Sequence, residues 1–172
     1  MVPIGRSNTP EMMFGLNLGA EWKGLDLNMF FDGNFGNKIY NAQYYTTVYN
    51  ESTGNQYAER MNSWTENNHS DIPRCLFGTS DPNGTNWGYT DRWLENGSFL
   101  RLKTLELGYT LPKVWVSKAG LQNVRVYVSG ENLLTITGLS DTMDPETAGI
   151  GKQGGTVYPL SRVYSFGLSV NF

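Results

Sequence analysis

The chain has 172 residues, enough for one domain, and only 17% of them are charged, against the roughly 25% of typical soluble domains. The net charge is −3 and there is no basic run, which argues against nucleic-acid binding through phosphate neutralisation. A single cysteine and a single histidine exclude an internal disulfide and a cysteine-based zinc site, so we expect no metal and no cofactor.

Two stretches near the start of the chain alternate between apolar and polar residues, as strands do when their two faces meet different surroundings. The stretch 12–22 reads MMFGLNLGAEW, and 25–33 reads LDLNMFFDG with Phe30 as the exception. Lys23 and Gly24 lie between them. This arrangement predicts two strands joined by a tight hairpin.

A third stretch, 98–109, follows a very long connection, 34–97, and its alternation is interrupted. The phase that is leucine-rich near the end of this stretch contains Arg101 and Lys103 further upstream. We therefore expect a strand here with a bulge, or a change of environment, near its middle.

Two further strands are predicted at 124–134, where three valines alternate with polar residues, and at 162–172, where the alternation is strictest. The apolar phase of the last stretch consists of Tyr164, Phe166, Leu168, Val170 and Phe172. The connection 110–123 is modest, whereas 135–161 is long. Short and long connections therefore alternate along the whole chain.

This alternation of connection lengths separates two interpretations. A structureless connection as long as 34–97 is unusual inside a compact soluble domain, whereas outer-membrane barrels have short turns on one side and long loops on the other. In a barrel the apolar phase would face lipid and the polar phase would face the interior. An aromatic girdle at the membrane interface would be formed by Trp22, Tyr109 and Phe172. The alternative is a soluble, secreted β-sandwich whose core is the apolar phase and whose loop aromatics bind carbohydrate.

Five strands cannot form a complete barrel, because single-chain bacterial barrels have an even number of strands, eight or more. An open sheet in lipid would leave two unpaired edges, at a cost on the order of tens of kcal/mol. We therefore expect this chain to be the C-terminal piece of a larger protein.

Several segments resemble the C-terminal end of the SusC/RagA-type TonB-linked outer-membrane transporters. They are SFLRLKTLELGYTLPK (98–113), VRVYVSGENLLTIT (124–137), DPET (144–147) and YPLSRVYSFGLSVNF (158–172). Residues 4–42 resemble the family's strand–turn–strand and the Gly-Asn-Lys-Ile-Tyr start of its loop. IPR (72–74) and DRWLENGSFLRL (91–102) follow in the family's order and spacing.

The resemblance implies an all-β fold: the last five antiparallel strands of a large, 22-stranded transmembrane β-barrel with long extracellular loops. The whole chain, 1–172, would be one barrel segment, with the plug domain absent. The complete protein would be no enzyme but a TonB-dependent importer of glycan or peptide fragments in the bacterial outer membrane. The implied partners are a SusD-type lipoprotein lid, the TonB complex acting through the missing N-terminal part, the barrel-assembly machinery and outer-membrane lipid.

The aromatic residue at the end of the chain resembles the signal that the barrel-assembly machinery reads in outer-membrane barrels. Tyr164, Phe166, Leu168, Val170 and Phe172 fit its pattern of apolar residues at alternate positions. The other interpretation is an ordinary core strand that ends the chain.

The long connections contain many aromatic residues, which can stack on sugar rings or supply the burial that a large loop needs. Trp87, Tyr89 and Trp93 are candidate contacts with substrate or with the lid protein. In the fourth strand, Arg125 and Glu131 lie in the polar phase and are candidate lumen-lining residues, or members of structural ion pairs.

A cluster of carboxylates, Asp141, Asp144 and Glu146, admits three interpretations. Paired carboxylates serve glycosidases and bind hard cations, but this spacing lacks the glycine and the ligand count of a calcium loop. Asp and Pro also initiate turns for local reasons, and we favour a turn. The stretch GIGKQGG (149–155) lacks the residues and context of a phosphate-binding loop, and we predict a flexible loop.

Overall fold

A computed structural model describes residues 7–41, 58–72, 74, 91–141, 143–148 and 157–172. The strands are β1 (Met12–Trp22), β2 (Leu25–Phe35), β3 (Lys38–Tyr40), β4 (Leu94–Thr110), β5 (Asn123–Gly138) and β6 (Val163–Asn171). One short α-helix, α1 (Lys113–Val116), lies between β4 and β5. Single turns of 3-10 helix span Ala58–Asn62, Asp91–Trp93 and Ser117–Ala119. No helix in these ranges is both long and apolar enough to cross a membrane.

The strands form one sheet in the order β1-β2-β4-β5-β6, and β3 pairs with the start of β4. The pairs β1–β2, β2–β4, β3–β4 and β5–β6 are antiparallel. Among the described residues no strand pairs with the outer edge of β1 or of β6, so the sheet is open. The predicted antiparallel all-β fold is confirmed. The connection predicted for 34–97 is partly structured, since it contains β3, two 3-10 turns and the start of β4.

The predicted hairpin between β1 and β2 has Lys23 and Gly24 as its two turn residues, and Trp22 pairs with Leu25. Both turn residues have positive φ, 48° at Lys23 and 90° at Gly24. This is the backbone of a type I′ turn, whose twist matches that of the strands it joins.

The predicted interruption in β4 is a β-bulge at Lys103. Phe30 pairs with Thr104, and the next residue of β2, Phe31, pairs with Leu102, so Lys103 is one residue more than β2 can match. The extra residue reverses the phase of β4. It thereby places Leu102 on the same side as the leucines further along the strand, and Arg101 on the opposite side.

The chain divides into two compact units. The sheet unit comprises Thr9–Asn37, Gly97–Gly138 and Leu160–Phe172, and the loop unit comprises Met1–Asn8, Lys38–Asn96 and Leu139–Pro159.

The two faces of the sheet unit differ sharply in chemistry. The apolar face carries Leu16, Leu18, Trp22, Leu27, Met29, Leu105, Leu107, Val126, Val128, Phe166 and Leu168. The polar face carries Glu21, Asp26, Asn28, Glu106, Arg125, Tyr127 and Ser169. Seven of these eleven side chains are solvent-exposed, with Phe166 at 76%, and Leu27, Met29, Leu105 and Val126 are half-buried. No described element of this unit covers them.

The loop unit has a small core of its own, formed by Ile39, Leu139, Met143 and Ala148. Beside it, the buried Asn41 side chain donates to Glu95 Oε1 at 2.6 Å and to Ser140 Oγ at 3.0 Å. The Ser140 N–H donates to the other Glu95 oxygen at 2.7 Å. This network ties together three segments that are distant in sequence.

Candidate functional site on the polar face

The polar face carries a charged cluster in which one arginine holds two carboxylates. Arg125 of β5 donates from Nε to Asp26 Oδ1 at 3.0 Å and from Nη2 to the second oxygen of Asp26. The same Nη2 donates to Glu106 Oε1 at 2.6 Å. Because Asp26 belongs to β2 and Glu106 to β4, the guanidinium joins three strands. Fork-shaped bidentate bonding of this kind is the strongest geometry for an arginine–carboxylate pair.

A glycine makes room for this cluster. Gly108 of β4 lies opposite Asp26 in the register, and a Cβ at Gly108 would overlap both the Arg125 guanidinium and the Asp26 carboxylate. Any larger residue here would separate the two charges. Gly108 is therefore part of the site although it contributes no side chain.

The cluster continues across the sheet through Tyr127. The Arg125 guanidinium carbon lies 5.0 Å from the centroid of the Tyr127 ring, within range of a cation–π interaction. Tyr127 pairs with Gly167 of β6, and its ring fills the space where a side chain at position 167 would begin. A continuous layer of side chains thus crosses β2, β4, β5 and β6.

The cluster borders an open depression of about 670 Å³ at the end of the sheet where the Lys23–Gly24 turn lies. Its lining is mostly polar and includes Glu21 and Asn28 together with the charged cluster. With three carboxylates (Glu21, Asp26 and Glu106) against two cations (Lys23 and Arg125), the lining has a net negative charge and is rich in hydrogen-bond acceptors. The carboxylates of Asp26 and Glu106 both accept hydrogen bonds from Arg125.

The structure brings together only part of the residues that the sequence singled out. Arg125 is the centre of the cluster, whereas Glu131 lies exposed near the other end of the β5–β6 pair, opposite Val163. Trp87 and Tyr89 lie outside the described residues. Trp93 is 3% exposed, which favours the alternative that its ring supplies burial to the loop unit.

The carboxylate cluster near position 144 forms a turn, as predicted. Asp144 Oδ1 accepts the Glu146 N–H at 3.0 Å, and the Asp144 carbonyl accepts the Ala148 N–H at 2.8 Å. Asp141 is exposed. Among the described residues, no group of three or more His, Cys, Asp or Glu side chains is placed to hold a metal ion. Residues 149–155 lie outside the described ranges.

The apolar residues that alternate along β6 and its end share one face of the sheet. Tyr164, Phe166, Leu168 and Phe172 are exposed, and Val170 is half-buried opposite Val124. Their proposed role in barrel assembly stays a prediction.

Sequence reasoning missed Asp26, Glu106 and Tyr127 as members of the site. The signal that would have found the two acids is their position: each lies in the polar phase of its strand, close to the ends where the short connections begin. Pairing those ends would have placed Asp26 and Glu106 near Arg125.

No family model matches the sequence. TonB-dependent receptor P3 of Formosa agariphila is 35% identical over 176 residues, covering 95% of this chain and 16% of the receptor. TonB-dependent receptor P26 of the same organism is 34% identical over 176 residues, covering 96% of this chain and 17% of that receptor. The chain therefore spans about a sixth of the length of these relatives.

Two solved structures are similar over nearly the whole chain. The RagAB peptide transporter aligns with a TM-score of 0.81 and 34% identity, covering 98% of this chain and 18% of that one. The RagAB peptide importer in its 'closed-closed' state aligns with a TM-score of 0.80 and 35% identity over 98% of this chain and 18% of that one. The chain belongs to the SusC/RagA-type TonB-dependent receptors, and its open sheet is a segment of their β-barrel.

Proposed function

We propose that this sheet is part of the wall of an outer-membrane importer, with its apolar face against lipid and its polar face toward the barrel interior. The exposed apolar face is the observation that carries the proposal. Leaving a side chain such as Phe166 or Leu168 in water instead of burying it costs about 1.5–3 kcal/mol each. The face has many such residues, so leaving it in water would be costly. In contact with lipid hydrocarbon, none of these side chains is exposed to water and this cost disappears.

On the interior side, the polar face would form part of the surface past which the substrate moves. Arg125 lies at the centre of this surface and Glu131 further along the same strand. The relatives of known structure are named as a peptide transporter and importer, which supports peptide fragments as the substrate of the whole receptor. Glycan fragments, the other class expected from the sequence, remain the competing substrate.

The partners of the whole receptor are part of the same proposal. We expect a SusD-type lipoprotein as its lid, the TonB complex as its source of energy and the barrel-assembly machinery as its route into the outer membrane. The apolar phase of β6 would be read by that machinery. Similarity to the RagAB peptide transporter and to TonB-dependent receptors supports these assignments.

The sandwich alternative requires a second sheet to cover the apolar face. The described residues form a single sheet, and its strands pair edge to edge without a second layer. We therefore do not retain a soluble carbohydrate-binding sandwich. The relatives are receptors and transporters, which agrees with a protein that is not an enzyme.

Neighbouring residues of β1 provide a matched test of the two faces. Leu18 pairs with Met29 on the apolar face, and Asn17 points the other way and pairs with Phe30. In the receptor that contains this sequence, Leu18→Arg should destabilise the barrel by about 2–4 kcal/mol near the middle of the membrane, and Asn17→Arg should have little effect. The measurements are the amount of receptor in the outer membrane and the temperature at which its folded form is lost on an SDS gel.

Equal tolerance of arginine at both positions would contradict the assignment of the faces. Greater damage from Asn17→Arg would show that the polar phase, not the apolar phase, is the buried side of this sheet.

A further inference from the structure

The connection between β4 and β5 exposes apolar side chains on a short helix. In α1, Trp115 is 63% exposed and Val114 is exposed beside it, while Val116 is only 4% exposed. The Trp115 N–H donates to the Pro112 carbonyl at 2.9 Å and the Leu121 N–H to the Val116 carbonyl at 3.1 Å. The helical turn is thus held in place with Val116 buried and Val114 and Trp115 projecting outward.

This connection is basic although the chain as a whole is acidic. Residues 111–122 contain Lys113 and Lys118 and no acidic residue, whereas the net charge of the chain is −3. Both lysines are exposed, and neither forms an ion pair with another described residue. The connection therefore presents two unscreened ammonium groups next to two exposed apolar side chains.

The β1–β2 turn adjoins this connection and adds the same two kinds of side chain. The Thr110 N–H at the end of β4 donates to the Gly24 carbonyl at 2.7 Å, so the two elements are in direct contact. Trp22 is exposed, and the Lys23 ammonium lies 4.9 Å from the centroid of its ring.

The end of β6 reaches the same place. The Gln122 N–H donates to the Asn171 carbonyl at 2.9 Å, and the neighbouring Phe172 is exposed. We call this end of the sheet unit the short-turn rim: Trp22–Lys23, residues 111–122 and Phe172. It combines exposed aromatic rings with lysines.

We infer that the β4–β5 connection, together with Lys23, binds anionic phospholipid at the short-turn rim. Val114 and Trp115 would enter the boundary between headgroups and acyl chains, where tryptophan is favoured because one end of the ring is apolar and the other carries an N–H. Lys113, Lys118 and Lys23 would reach lipid phosphates, since a lysine stem lies along apolar surface while its ammonium stays in the polar layer. This inference rests on the proposed function, because it needs the sheet to span a membrane.

Charge and size favour a lipid over a protein partner. A negatively charged membrane surface attracts each nearby lysine strongly enough to change an association constant about fivefold. A stable protein interface needs roughly 20–30 residues on each side. The rim offers a few exposed side chains, which matches a headgroup and the start of an acyl chain better than a folded partner.

The test uses the whole receptor that contains this sequence, reconstituted in phosphatidylcholine vesicles with phosphatidylglycerol. Tryptophan fluorescence is measured while either the phosphatidylglycerol or the phosphatidylcholine carries brominated acyl chains, which quench tryptophan on contact. The contribution of Trp115 is the difference between the natural receptor and Trp115→Phe. We expect stronger quenching of this contribution by brominated phosphatidylglycerol, and we expect added salt to weaken the preference.

Charge variants identify the groups responsible. Lys113→Gln with Lys118→Gln should lower the preference of the Trp115 contribution for phosphatidylglycerol by up to about fivefold per lysine. Lys38→Gln removes a lysine from the loop unit and should leave the preference unchanged.

Each result separates this inference from the proposed function. Quenching of Trp115 by both lipids equally, at low and at high salt in the natural receptor, would overturn it without any variant. A receptor that folds and inserts but whose Trp115 contribution is quenched by neither lipid would overturn it as well and leave the proposed function standing. A natural receptor that does not insert at all would overturn both.

Discussion

Arg125 compensates two carboxylates, so its removal leaves Asp26 and Glu106 close together without their shared cation. We predict that Arg125→Gln lowers the temperature at which the folded barrel is lost on an SDS gel, and that Arg125→Lys lowers it less. Lysine retains the charge but cannot form the bidentate bond. Arg162→Gln, which removes an exposed arginine just before β6, serves as the control and should change little.

The double variant Asp26→Asn, Arg125→Gln tests whether the effect comes from uncompensated charge. If it does, the double variant should be more stable than Arg125→Gln alone, because removing one carboxylate relieves the repulsion that the first change created. Additive losses from the two changes would contradict this explanation.

Gly167, like Gly108, is a position where a single added carbon atom would overlap a neighbouring side chain. A Cβ at this position would overlap the Tyr127 ring, and we expect Gly167→Ala to lower the free energy of unfolding by about 1–3 kcal/mol through overpacking. Gly19→Ala is the matched control, because a Cβ there comes no closer than 3.2 Å to the Asn28 side chain. Urea titrations of the receptor in detergent micelles would measure both.

Changing the ring itself identifies the cause. Tyr127→Ser should restore most of the loss in the Gly167→Ala background, and Tyr127→Phe should not, since it retains the ring. If Tyr127→Phe rescued as well, the hydroxyl rather than the ring would be responsible.

At the scale of whole elements, two connections contain glycines with positive φ. Comparing them separates the cost of left-handed backbone from the cost of steric overlap. Gly24 has φ of 90° and a Cβ there would lie 2.8 Å from the Thr110 carbonyl oxygen, whereas Gly120 has φ of 75° and open space around it. Left-handed backbone costs a residue with a side chain about 1–2 kcal/mol, and reduced entropy of the unfolded chain offsets about 0.4–1 kcal/mol.

We therefore expect Gly120→Ala to destabilise the barrel by at most about 1.6 kcal/mol and Gly24→Ala to destabilise it clearly more. The β1–β2 turn cannot move away without losing the bond between Thr110 and Gly24. The comparison uses the same urea titrations. A cost for Gly24→Ala equal to that for Gly120→Ala would show that the turn yields easily.

Apolar–polar alternation in the sequence located the strands wherever each face of the sheet keeps the same surroundings along the strand. It missed the ends of strands where those surroundings change. The predicted 12–22 has the bounds of β1. By contrast, β4 begins at Leu94 and β5 continues to Gly138, beyond the predicted ends. At its start, β4 pairs with β3 in the loop unit, where the backbone is still paired but the apolar–polar alternation no longer applies. The helix α1, with four residues, is too short for a helical period to show.

The charged cluster could be predicted only in part, for a related reason. Asp26 and Arg125 are 99 positions apart, and their contact depends on the register of two strand pairs and on the absence of a side chain at Gly108. Periodicity assigns each residue to a face but does not specify which residues are neighbours across the sheet. The bulge at Lys103 is the exception, because the break in alternation is local and therefore visible in the sequence.

For the molecule as a whole, the open edges decide how the isolated chain behaves. The outer edges of β1 and β6 have no partner strand among the described residues, and the apolar face is exposed. Unpaired edges pair with other copies, and exposed apolar surface adds to that tendency. We predict that the chain alone forms large, strand-rich aggregates in buffer, which sedimentation and circular dichroism would detect.

The two causes of aggregation can be separated. Replacing Leu107, Phe166 and Leu168 by serine removes three large exposed side chains from the apolar face but leaves the backbone edges unchanged. If edge pairing dominates, this variant should still aggregate in buffer. If the apolar face dominates, detergent alone should dissolve the chain without these substitutions. Adding the remaining strands of the receptor satisfies both requirements at once, because it pairs the edges and places the apolar face in one micelle or membrane. A monodisperse, cooperatively unfolding monomer of the isolated chain in plain buffer would contradict the barrel-wall assignment, since such a monomer must have covered the apolar face by itself.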